Sequence, residues 1–145
     1  MSANEKRILI VDDDEAIRTL LFTILRRRAF AVDRACNGLE ALERLRRCRY
    51  SLLLLDLMMP GKNGWEVMDE LKTIRADLRP VVIVLTAGNE PRDLDPALVA
   101  GSIRKPFEVE ILIDTVVACL RALTALPQLP DCPPADSATS SGKVN

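Results

Sequence analysis

The sequence predicts a doubly wound α/β domain, a five-stranded parallel sheet with helices on both faces. Three observations carry this. Short apolar runs alternate with helical periodicity five times along the chain. The run Leu52-Leu53-Leu54-Leu55 is apolar without alternation, as in a strand covered on both faces. Parallel strands need crossovers, which are right-handed and so lay helices on both sides of the sheet.

The first strand is Ile8-Leu9-Ile10-Val11, stopped by Asp12-Asp13-Asp14-Glu15. Ile17, Leu20, Leu21, Ile24 and Leu25 then lie on one helical face. Asp14 and Glu15 suit the start of that helix and Arg26-Arg27-Arg28 its end, by the helix dipole. Phe30 to Ala35 is a weaker second strand, broken at Asn37-Gly38 before a shorter helix with Leu39, Ala41, Leu42 and Leu45. The leucine run is the third strand. A charge is not kept inside a buried strand, so Asp56 belongs where the strand leaves the core, with Pro60, Gly61, Asn63 and Gly64 making a loop beyond it.

Trp65, Val67, Met68, Leu71 and Ile74 give a third helix, ended upstream of Pro80. Val81 to Leu85 is the fourth strand, ending at Thr86-Ala87-Gly88. Between Asn89 and Ala100 two prolines interfere, and the expectation is a short helix over Asp95 to Ala100, capped by Asp95 with Pro96 in its first turn. Ser102 to Lys105 is a minimal fifth strand stopped by Pro106. Val109, Leu112, Ile113, Val116, Val117, Leu120 and Leu123 form the last helix. The domain is therefore placed at residues 1–126. Residues 127–145, rich in Pro, Ser and Thr, cannot build a core and read as a disordered tail.

Composition narrows the chemistry. Among 145 residues there is no histidine, which removes Ser-His and Cys-His nucleophilic pairs. The four cysteines form no CxxC pair, so zinc is disfavoured; no signal peptide precedes them, and reduced thiols in the cytoplasm are expected. The net charge of −1 gives no general attraction to nucleic acid or to an anionic membrane. No apolar run approaches the roughly 18 residues of a membrane span. Eight arginines fall between Arg26 and Arg49 against Asp33, Glu40 and Glu43. They read either as solvated helix ends or as a docking surface for an acidic partner.

In a parallel sheet, ligands bind at the carboxyl ends of the strands. The residues there are Asp12 and Asp13 after strand one, Asp56 after strand three, Thr86 after strand four and Lys105 after strand five. Three carboxylates at one edge repel unless a cation joins them. Oxygen donors alone favour Mg2+, which takes one or two carboxylates plus phosphate oxygens. With a lysine and a hydroxyl beside it, the set suits phosphoryl chemistry in which a carboxylate is the nucleophile. Each residue alone has a bland explanation: Asp14 as a helix cap, Lys105 as a surface lysine. Their coincidence at the ends of four strands does not.

The chain resembles the receiver domain of two-component response regulators, over about residues 6–124. The motifs are Ile8-Leu9-Ile10-Val11-Asp12-Asp13-Asp14, then Asp56-Leu57-Met58-Met59-Pro60 with Gly64, Thr86-Ala87, and Lys105-Pro106-Phe107. The resemblance implies a flavodoxin-like strand order, 2-1-3-4-5. It implies a phosphoryl group accepted on Asp56 from a histidine kinase or histidine phosphotransfer protein. It also implies Mg2+ held by Asp13, Asp56 and the Met58 carbonyl, with Asp12 acting through water, and Thr86 and Lys105 meeting the phosphoryl oxygens. On this reading the protein is a stand-alone receiver signalling through an unknown downstream protein, with no nucleic acid and no membrane as partner. A phosphoryl shuttle or sink, a magnesium-dependent phosphatase of similar topology and a degenerate scaffold are the alternatives. Ser102 stands where the family commonly has an aromatic, and the segment from Gly101 to Lys105 is about three residues short against the family. Phosphorylation is therefore expected to be read out differently. Met58 and Gly88 cannot orient an attacking water, so no accelerated hydrolysis is expected.

Overall fold

The computed structural model describes residues 6–59, 64–88 and 94–122. The expected loop over Pro60 to Asn63, Pro91, and the tail from residue 127 lie outside them. Five strands form one parallel sheet: β1 (Arg7–Val11), β2 (Ala31–Ala35), β3 (Leu52–Asp56), β4 (Val81–Thr86) and β5 (Val99–Arg104), in the order β2-β1-β3-β4-β5. The flanking helices are α1 (Glu15–Arg27), α2 (Gly38–Arg47), α3 (Gly64–Leu71) and α4 (Val109–Arg121), with a 3-10 turn at Ala76–Leu78. The expected architecture and strand order are both present.

The two-residue period of a strand divides the core into two layers. Leu9, Val11, Leu53, Leu55, Val82 and Val84 face the side that carries Ala41 and Leu42 of α2 and Val67, Met68 and Leu71 of α3. Ile8, Ile10, Leu52, Leu54, Ile83 and Leu85 face the other, with Leu21 and Leu25 of α1 and Leu112, Ile113 and Val116 of α4. The four leucines of β3 are fully buried because both layers need them.

Local signals set the element ends. Asp14 caps α1, accepting from the N–H groups of Ala16 and Ile17. Asn37 caps α2 by accepting from the Glu40 N–H, and Glu40 reaches back to the N–H of Cys36, the residue before the cap, at 2.7 Å, a variant of the capping box. Helix α3 stops at Leu71, earlier than its apolar period suggests. The Arg79 guanidinium then takes the carbonyls of Ile74 and Lys72 at 2.8 and 3.1 Å, completing the turn before Pro80.

Two expectations need correcting. The helix expected over Asp95–Ala100 is a single turn, in which the N–H groups of Leu98 and Val99 reach the Asp95 carbonyl and the Asp95 side chain accepts from Ala97. Capping was read correctly, but β5 begins at Val99 and ends the turn. Its pairing with β4 slips between Val82 and Ile83, so Ala100 is a bulged residue and the rest of β5 runs in step as far as Arg104 opposite Thr86. Second, Cys36 and Cys119 are free but Cys48 is disulfide-bonded, so the expectation of four reduced thiols does not hold.

Candidate functional site: an acidic pocket at the carboxyl edge of the sheet

β1, β3 and β4 end side by side in the middle of the sheet, and β5 runs beside β4. Asp12 follows β1 and is fully buried; Asp13, the next residue, is exposed. Asp56 is the last residue of β3 and is 4% exposed. One carboxylate oxygen from each of Asp12, Asp13 and Asp56 lies within 4.8 Å of the others. Lys105, just past β5, places Nζ 3.3 Å from Asp12 Oδ2 and 3.3 Å from Asp56 Oδ2. The structure thus brings together the three expected carboxylates and the expected lysine.

Thr86 closes β4 and is buried, and its carbonyl accepts the Lys105 backbone N–H at 2.8 Å. This hydrogen bond extends the β4–β5 pairing and anchors the lysine to the site. The Lys105–Pro106 peptide bond is cis. The Thr86 hydroxyl has no hydrogen bond among the described residues and is available to a ligand. Met58, 59% exposed, donates its backbone N–H to Asp56 Oδ1 at 3.1 Å. Gly64 comes close behind Asp56: a Cβ there would stand 2.6 Å from Leu57 Cα and 2.7 Å from the Asp56 carbonyl oxygen. No other residue type fits without moving the backbone of the β3 end.

The electrostatics are those of a strained anion cluster. Burial, then the Asp12 carboxylate, push the Asp56 carboxyl from its ordinary 3.8 up to about 6, against the pull of the Met58 N–H and Lys105. Burial works against the Lys105 ammonium, but Asp12 and Asp56 outweigh it and hold it above its ordinary value. One lysine among three carboxylates leaves an excess of negative charge. Asp12 Oδ2 is buried and paired with that lysine, yet among the described residues no donor is aligned to it as a hydrogen bond. An all-oxygen donor set with one unsatisfied buried oxygen fits a hard divalent cation such as Mg2+.

Sequence reasoning missed two arginines. Arg18 on α1 donates to the Asp12 carbonyl at 2.8 Å and fixes the β1 end. It is four residues past the cap Asp14, so helical spacing could have placed it back over the β1 end. Arg104 folds over Gly88, whose φ is +91°; a Cβ on Gly88 would meet Arg104 Nε at 2.3 Å. Only the register of β5, set by the bulge at Ala100, brings Arg104 opposite Thr86. Ser102, at the position of the expected aromatic, is exposed on β5.

The response regulator receiver domain profile matches residues 8–117. The chain is 40% identical to the transcriptional regulatory protein ResD of Bacillus subtilis over 121 residues, 81% of this chain and 49% of that protein. It is 37% identical to the DNA-binding response regulator MtrA of Mycobacterium tuberculosis over 124 residues, 83% of this chain and 53% of that protein. Among solved structures it is similar to the response regulator TrrA of Thermotoga maritima, in complex with Mg2+ and BeF, with 36% identity and a TM-score of 0.68 over 79% of this chain and 98% of that one. A CheY-like receiver domain protein from Methanospirillum hungatei gives 30% identity and a TM-score of 0.69 over 81% of this chain and 98% of that one.

The chain spans about half the length of the curated relatives it matches. That overturns the expected exclusion of nucleic acid, because MtrA is by name a DNA-binding regulator. The charge of a receiver reports on its own surface and not on what a regulator containing it binds. Among the described residues no helix is long and apolar enough to cross a membrane.

Proposed function

The chain belongs to the response regulator receiver domain family, and from that premise we propose that it is a phosphoacceptor which takes a phosphoryl group on Asp56 from the phosphohistidine of a histidine kinase or phosphotransfer protein. The observation that carries this reading is the Lys105 ammonium 3.3 Å from both Asp12 and Asp56, beside a third carboxylate at the same edge. In the transfer, an Asp56 carboxylate oxygen forms the new O–P bond as the N–P bond to the donor breaks, and the freed imidazole nitrogen takes up a proton. Asp56 must be ionised to attack, and Lys105 and the Met58 N–H favour that form.

Asp13, Asp56 and the Met58 carbonyl would hold Mg2+, with Asp12 acting through water; the bound ion supplies the positive charge that lets phosphoryl oxygens approach three carboxylates. Lys105, bridging two carboxylates before transfer, is positioned to exchange them for a phosphoryl oxygen. The Thr86 hydroxyl, without a hydrogen bond among the described residues, donates to a second oxygen. Such a domain signals through its phosphorylation-dependent surface and turns over its acyl phosphate slowly. Ser102 is exposed and carries no aromatic, so the state is read out by another route than an aromatic swinging inward.

The test is incubation with acetyl phosphate and Mg2+, with intact mass read for wild type, Asp56→Asn and Lys105→Met. Wild type should gain one phosphoryl group, Asp56→Asn none, and Lys105→Met should be phosphorylated but lose the phosphoryl-dependent change in its amide NMR spectrum. Unchanged incorporation in Asp56→Asn would overturn the assignment.

A further inference from the structure

At the amino-terminal end of the sheet, opposite the acidic pocket, lies a cleft of about 250 Å3 lined by Lys6, Arg28, Phe30, Val117, Leu120 and Arg121. Its floor is apolar: Leu120 is buried, and Phe30 and Val117 are half-buried against the α1–α4 core layer. Its rim is three cations from three separate parts of the chain, and among the described residues no acid lines it. Lys6 leads into β1, Arg28 is the last residue of the α1 cap, and Arg121 ends α4. None of their side chains makes an ion pair or hydrogen bond among the described residues.

The local backbone builds this arrangement. α1 ends in a reversal in which Ala29 takes a positive φ of 70°, and the Phe30 N–H reaches back to the Leu25 carbonyl at 3.4 Å. A non-glycine residue in the left-handed region is uncommon. The reversal turns Phe30 into the cleft while Arg28 stays on its lip. Cations at a helix end alone would serve the dipole. That explanation covers Arg28 and Arg121 separately, but not Lys6, which belongs to no helix, nor the apolar floor the three enclose.

We propose that this cleft docks an acidic protein segment carrying a large apolar side chain, whose carboxylates meet Lys6, Arg28 and Arg121 while the apolar group covers Phe30, Val117 and Leu120. A phosphodiester backbone would meet the charges but leave the floor uncovered, and a cleft of this size holds one or two side chains. β1 separates it from the site: at about 3.3 Å per residue, Lys6 and Asp12 are on the order of 20 Å apart. Docking here leaves the pocket around Asp56 open, so the segment binds whether or not Asp56 is modified.

The test titrates the isotopically labelled full chain with a synthetic peptide of alternating glutamate and leucine, and with its glutamine-for-glutamate counterpart. Amide shifts should cluster at Lys6, Arg28 to Ala31 and Val116 to Ala122. Affinity should fall at least tenfold in Arg28→Gln/Arg121→Gln, fall with salt, drop in Phe30→Ala, and stay unchanged in Asp56→Asn. Arg28 and Arg121 lie at the surface and Phe30 just past a turn, and far-ultraviolet circular dichroism confirms that each variant, the buried Asp56→Asn included, is folded. No cluster of shifts at millimolar peptide, equal binding of the glutamine peptide, or tighter binding of a short DNA duplex at the same residues would each overturn the proposal.

Discussion

Asp56 is pulled in two directions. Burial and Asp12 favour its neutral form, the Met58 N–H and Lys105 its charged form, and the first pair prevails, leaving the carboxyl near 6. A raised carboxyl binds its proton more tightly in the folded chain than in the unfolded one. Its contribution to stability is therefore present below the unfolded value near 4 and is lost as pH rises through about 6. Without metal, Asp56→Asn should be more stable than wild type at pH 7.5, by roughly 1–3 kcal/mol. The gap should close as pH falls to 4, which denaturant unfolding at several pH values in a chelating buffer measures. Gly64 is the other position where one residue decides. Gly64→Ala sets a Cβ against the Leu57 and Asp56 backbone, at an expected cost of about 1–3 kcal/mol. Because the shift falls on the β3 end, it should weaken Mg2+ binding as well, seen as a smaller Mg2+-induced rise in Tm. Asp56 was legible in the sequence because a carboxylate after four leucines has few other reasons to be there; Gly64 was read as part of the loop, whereas it opens α3 and is required by its close approach to the β3 end. Arg18 and Arg104 were not legible, because nothing in an arginine's neighbours along the chain says which carbonyl or glycine it will cover.

Elements differ in how far their own residues dictate them. β1, β3 and β4 are continuous aliphatic runs, and the sheet could place them only at its centre. α1 is fixed by its period and by Asp14, whose carboxylate takes two N–H groups. Asp14→Ala should cost about 1 kcal/mol. It should also loosen the turn in which the Asp14 N–H meets Asp12 Oδ1 at 2.9 Å, visible as faster amide exchange at Ala16 and Ile17. β5 was harder to read. Val99-Ala100-Gly101-Ser102 has neither period nor continuous apolarity, and Asp95-Pro96 looks like a helix start. What decides is the open edge of β4, which pairs with this segment and stops the turn at Leu98. Tertiary pairing outweighed a local cap, and the bulge at Ala100 then set which residue faces Thr86.

At the scale of the molecule the charge is divided along the strands. Carboxylates gather where the strands end, cations where they begin, and the net charge of −1 conceals both. Sequence order alone made the acidic end legible, since each strand ends in its own motif. The basic end is assembled from residues as distant as Lys6 and Arg121, and only the packing of α1 and α4 on one face brings them together. The acidic end couples the site to the stability of the whole fold. A cation that binds only the folded chain stabilises it by RT ln(1 + [L]/Kd), about 2.7 kcal/mol at a hundredfold excess over Kd. Mg2+ should therefore raise Tm, more at pH 7.5 than at pH 5, because protonating Asp56 removes a ligand. Asp13→Asn should abolish most of that rise while leaving metal-free Tm the same or higher, since it removes one of three mutually repelling carboxylates without touching the core. Calcium should give a smaller rise than Mg2+ at equal concentration, because Ca2+ prefers 6–8 oxygen ligands and this edge offers few. Differential scanning calorimetry across the two metals, two pH values and two chains checks all of this, and a Tm rise that survives in Asp13→Asn would place the metal elsewhere.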